Sequence, residues 1–162
     1  MSQATHLVRR FFGSLRPGPP GAGDDAWARS HLLPAEHQLW ERMANADRRH
    51  AVGVGRGVTR LLGLRAERPV VAAALLHDVG KIVSGLRTPG RVVATVSRLA
   101  AGRGLTRRAK LYVRHPELGS DLLEVAGSDP LTVSWAREHH LPPDRWTVPA
   151  DIAHALKSAD DD

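Results

Sequence analysis

The run Ala73-Ala74-Leu75-Leu76-His77-Asp78-Val79-Gly80-Lys81 puts an imidazole and a carboxylate at the end of an apolar stretch that begins at Val70. From Val70 to Leu76 no polar face interrupts the sequence, and the stretch is too short to cross a bilayer, so it reads as a buried helix. Burying His77 beside Asp78 without a partner costs several kcal/mol or forces the pair to neutralise. A metal ion is the most economical compensation; a simple His–Asp hydrogen bond at a helix end is the alternative. Gly80 is expected to let the backbone turn, and Lys81 to set a cation beside the pair.

Outward from this stretch, further histidines fall on apolar stripes. His50 recurs with Val54, Val58 and Leu61 at three- and four-residue spacing, on a helix that Asn45 or Asp47 is expected to cap. His115 shares a face with Leu118 and Leu122, and Pro116 suits the first turn of that helix. His139 and His140 follow Leu131, Val133 and Ala136. Neighbours on a helix are only about 100° apart, so both rings can border one pocket, or one can sit in the core and the other in water. Pro142-Pro143 stops that helix, and Trp146 is expected to pack the loop down. A last helix starts near Pro149. Its Ile152, Leu156 and Asp160 are spaced i, i+4, i+8, so Asp160 extends the inward stripe while Asp161 and Asp162 turn to solvent. The helix dipole disfavours an acidic C-terminus, a cost that a nearby metal would offset.

The 162-residue chain is long enough to bury one core without a staple. It has no cysteine, which removes disulfides, thiolate metal sites and cysteine nucleophiles and fits a reducing, cytoplasmic setting. Any metal must be held by His, Asp or Glu. No apolar stretch reaches membrane-spanning length, and the N-terminus shows no signal-peptide core. The net charge of +6 and pI near 10.9 suggest phosphate-bearing partners. The arginines are dispersed, however, at Arg9-Arg10, Arg48-Arg49 and Arg107-Arg108-Lys110, with no interleaved aromatic platforms. That pattern argues against nucleic acid and for a basic surface attractive to a phosphorylated small molecule.

Residues 1–23 read as a basic tail and a linker. Thr5 to Phe12 is a short apolar and basic segment, and Arg16 to Gly23 is too rich in proline and glycine for a regular helix. Residues 24–162 read as one all-α domain. Asp24 or Asp25 is expected to cap a helix with Ala26, Trp27 and Leu32, and Pro34 to start one with Leu39, Trp40 and Met43. Thr88-Pro89-Gly90 reads as a turn, Val92 to Leu99 as a helix ending at Gly102, and Thr106 as the cap of a basic helix through Tyr112.

His50, His77, Asp78, His115, His139, His140 and Asp160 thus converge from five expected helices, with enough nitrogen and oxygen donors for two divalent metals. At this point the chain resembles the HD superfamily of metal-dependent phosphohydrolases, whose signature is a His, then His-Asp, then a distant Asp on an α-helical bundle. His77-Asp78-Val79-Gly80-Lys81, His115-Pro116-Glu117-Leu118-Gly119 and His139-His140 look like the HD-GYP branch, known for hydrolysing cyclic di-GMP. The resemblance spans roughly Ala46 to Asp160. It implies one metal held by His50, His77, Asp78 and Asp160, with Asp78 bridging to a second held by His115, His139 and His140. The ions would be Fe, Mn, Co, Ni or Zn.

The resemblance further implies hydrolysis of a phosphodiester or phosphomonoester, a nucleotide or cyclic dinucleotide among them, by a metal-activated water. Asp78 would bridge the ions and accept a proton, and Lys81 would neutralise a phosphate oxygen. The alternative is a non-catalytic HD module that binds a nucleotide or a protein partner. Two departures are visible: Leu141-Pro142-Pro143-Asp144-Arg145-Trp146 follows the His pair where the branch carries Gly-Tyr-Pro, and the stretch to Asp160 is shorter. Ala46 occupies the position where some members carry a glutamate, which argues against a third metal.

Overall fold

The apolar run at the heart of the sequence becomes the central helix of a helical bundle. The computed structural model describes residues 18–85 and 107–161, and no strand occurs among them. Its helices are α1 (Ala22–Ser30), α2 (Pro34–Arg42), α3 (Asn45–Leu62), α4 (Arg68–Leu76), α5 (Lys81–Ser84), α6 (Arg107–Val113), α7 (His115–Val125), α8 (Pro130–Glu138) and α9 (Ala150–Asp161), with 3-10 turns at Gly63–Arg65 and Pro143–Arg145. The expected turn at Thr88-Pro89-Gly90, the helix to Gly102 and the Thr106 cap lie outside the described residues.

Every residue from Val70 to Gly80 is buried. Helix α4 divides the core in two: Val71, Leu75 and Leu76 join Leu39, Trp40, Met43 and Leu123 on one side, and Val70, Ala73 and Ala74 join Val54, Val58, Trp135 and Leu156 on the other. Burial of each leucine contributes about 1.5–3 kcal/mol. Helices α3 and α8 both pack on α4, α9 packs on α3, and α7 on α8. A Cβ on Gly57 would stand 3.0 Å from the Ala159 Cβ, so small residues let α9 lie close against α3 and carry Asp160 inward.

Several boundaries differ from the sequence expectation. Helix α1 starts at Ala22, inside the stretch read as linker, with Gly21 at its N-cap and Asp24 and Asp25 in its first turn. These aspartates meet the positive end of the helix dipole rather than capping by side chain. Asp25 also accepts a hydrogen bond from Trp40 Nε1 at 3.0 Å. The end of the linker is docked: Pro20 is buried, and Arg49 donates to the Gly18 carbonyl. Ala44, not Asn45 or Asp47, takes the N-cap of α3, where no side chain caps. Leu61 is 56% exposed, and Leu62 fills the stripe instead. Continuing the four-residue steps of His50, Val54 and Val58 arrives at 62, whereas a three-residue step swings to the other flank.

The phase of the last helices follows the expected pattern more closely. Asp129 caps α8 by accepting from Leu131 N at 2.9 Å. Trp146 donates to the Leu141 carbonyl at 3.0 Å and packs edge-on against Trp135, which secures the loop after the His pair. Asp160 is buried and Asp161 exposed.

Candidate metal centre

Three histidines occupy the same local setting. Helix α4 ends at Leu76 and His77 follows it; α8 ends at Glu138 and His139 follows; α6 ends at Val113 and His115 stands two residues on. The last carbonyls of a helix lack amide partners from the next turn. Each of these imidazoles supplies a donor there: His77 Nδ1 donates to Ala74 O at 2.9 Å, His115 Nδ1 to Tyr112 O at 2.8 Å, and His139 Nδ1 to Ala136 O at 2.9 Å. The proton on Nδ1 leaves Nε2 as a lone pair, and all three Nε2 atoms face Asp78.

Asp78 lies in the turn between α4 and α5 and presents its oxygens to opposite sides. Oδ1 is 3.2 Å from His115 Nε2 and 3.7 Å from His139 Nε2. Oδ2 is 3.4 Å from His77 Nε2 and pairs with the Lys81 ammonium. Asp160, arriving on α9, sets Oδ1 2.9 Å from His50 Nε2 and 3.6 Å from His77 Nε2. His140 Nε2 comes within 3.2 Å of His115 Nε2. All the residues expected at the centre are therefore brought together, in two groups that meet at Asp78: Asp78, His115, His139 and His140 on one side, and His50, His77 and Asp78 on the other, with Asp160 against the second.

This donor set has too many acceptors for its protons. His77, Asp78, His115, His139 and Asp160 are each at most 6% exposed. His139 Nε2 is buried with no hydrogen-bond partner among the described residues. Bare imidazole nitrogens facing carboxylate oxygens repel unless a proton or a cation lies between them. Nitrogen and oxygen donors converging in this way fit a divalent transition metal, and the buried cluster can hold one.

The ionisation states differ from ring to ring. Burial works against the charge on Asp78, yet Lys81, His77 and the facing imidazoles of His115 and His139 hold its carboxyl well below the ordinary range. Burial, then the neighbouring His139 and His115, pushes His140 down to about 3. Burial likewise lowers His139, so both rings are neutral at pH 7, as metal ligation requires. His77 is raised: burial opposes its charge, but Asp78 and Asp160 outweigh it.

Gly80 has a role different from the one expected. Its φ is −60°, which any residue adopts, so no turn requires glycine there. A Cβ at position 80 would instead fall 1.9 Å from the His115 carbonyl and 2.6 Å from Gly119 N. The missing side chain lets the Asp78 turn touch the start of α7 and brings His115 to Asp78. Lys81 is only 15% exposed, and although burial opposes its charge, Asp78, then Asp47 and Tyr112, keep it firmly protonated. Tyr112, whose carbonyl and ring both meet His115, belongs to the site although the sequence did not single it out, and the charge of Asp47 reaches Lys81. Asp47 sits one turn before His50, which is a usable signal; Tyr112 acts on His115 through a backbone carbonyl, for which no sequence signal exists.

Comparison of the chain with protein-family models, curated proteins and solved structures finds no match in any of the three.

Proposed function

We propose that this protein is a dinuclear metal phosphohydrolase of the HD type. The observation that carries the reading is the division of Asp78, one oxygen turned to His115 and His139 and the other to His77, with Asp160 as a second carboxylate. In this reading His50, His77 and Asp160 would hold one ion and His115, His139 and His140 the other, with Asp78 available to either. Divalent ions so held would supply a Lewis acid for a phosphoryl oxygen and a water of lowered pKa. Asp78 would hold the resulting hydroxide as it attacks phosphorus and the ester P–O bond breaks, the leaving oxygen taking a proton from water. Lys81 turns its ammonium to a nonbridging phosphate oxygen, where charge develops. Burial of His77, Asp78 and His139 keeps bulk water away and strengthens each of these interactions.

The substrate class is a phosphodiester or phosphomonoester, with nucleotides and cyclic dinucleotides as the first candidates. The chain's positive net charge favours approach of such anions. The test is a hydrolysis screen of nucleotides and cyclic dinucleotides with Mn- or Fe-loaded protein, run beside Asp78→Ala. Turnover that disappears in the variant supports the proposal. Tight nucleotide binding without turnover would instead support the non-catalytic HD module.

A further inference from the structure

The two sides of Asp78 are not equally open to a metal. Oδ1 faces the bare nitrogens of His115 and His139, with His140 beyond. Oδ2, which faces His77, already carries the Lys81 ammonium. Lys81 is mostly buried, so water screens its charge poorly, and a divalent ion on the same oxygen would meet that charge at short range.

We infer that Lys81 makes metal loading sequential: the His115, His139 and His140 group fills first, and the His50, His77 and Asp160 group fills only weakly until a phosphate anion draws Lys81 off Asp78. The inference rests on the dinuclear reading above and adds the order of loading and its coupling to the substrate's phosphoryl group. By linkage, whatever amount the anion favours the second ion, the second ion favours the anion equally. The arrangement would complete the centre only in the presence of a phosphorylated ligand.

The test is an equilibrium titration of the full chain with Mn2+, free ion being counted by electron paramagnetic resonance, with and without inorganic phosphate. The wild-type protein should bind one ion tightly and a second at least about tenfold more weakly, a modest fraction of what two cations at contact distance imply. Lys81→Gln should close that gap, and phosphate should tighten the second step in the wild type but not in the variant. His50→Ala should remove the weak step and spare the tight one. Two wild-type steps of equal affinity, a gap unchanged by Lys81→Gln, no effect of phosphate, or loss of the tight step in His50→Ala would overturn the inference while leaving the dinuclear reading intact. Absence of any bound Mn2+ would defeat both. If Lys81→Gln fails to fold, the phosphate arm on the wild type decides alone.

Discussion

The two sides of the centre are built by different means. His115 and His139 are set by local contacts: each stands just past a helix end and spends its Nδ1 proton on a carbonyl three residues back. On the other side His77 is anchored in the same way, but His50 and Asp160 lie 110 positions apart and meet only because α9 packs on α3. Each side has one ring open to solvent, His50 with its side chain 26% exposed and His140 on the other. Local anchoring survives loosening of the bundle, whereas the α3–α9 pairing depends on tertiary packing throughout. Asp78 belongs to both, so it is where the difference can be probed.

The largest effect should come from Asp78→Ala, which removes the group shared by both sides; metal binding and hydrolysis should both fall to background, measured by elemental analysis and turnover. Retention of one ion would show that one side holds metal without Asp78. Asp160→Ala strikes only the side built by packing. It should lower activity by at least about a hundredfold, in line with disrupted metal shells, and leave the ion beside His139 in place. Equal loss from both sides would remove the distinction drawn here.

Gly80→Ala probes the contact that joins the locally anchored side to Asp78. A methyl group 1.9 Å from the His115 carbonyl forces the turn and α7 apart, so destabilisation of about 1–3 kcal/mol is expected, read as a lower midpoint in denaturant. Wild-type stability would mean that the junction is slack. Asp161→Ala completes the series. Its carboxylate is exposed and paired with Lys157, so any change should stay below about 1 kcal/mol, with metal content and turnover unchanged.

How much of this was legible in the sequence depends on the range of the interaction. The all-α class followed from apolar periodicity, and the buried His77-Asp78 pair from an apolar run ending in charge. The phase of Ile152, Leu156 and Asp160 separated a buried aspartate from an exposed neighbour, because helical rotation is a local property. Leu61 was misplaced because three- and four-residue steps are equally regular in sequence, and only the position of α9 and α4 selects Leu62. Gly80 was assigned a turn because composition shows glycine but not what presses against it. The Nδ1–carbonyl bonds of His77, His115 and His139 were invisible, being fixed by where each helix ends to within a residue. The docking of Pro20 and Gly18 was hidden for the same reason that linkers are usually read as detached, since proline and glycine describe backbone shape and not what the backbone lies on.

Whether one carboxylate serves two metal positions can be read from anomalous diffraction of crystals soaked in Mn2+ with inorganic phosphate. The account predicts two peaks, one against each oxygen of Asp78, the first among His115, His139 and His140 and the second among His50, His77 and Asp160. No peak among these residues, or a single peak that leaves one oxygen of Asp78 on Lys81 even with phosphate bound, would contradict it.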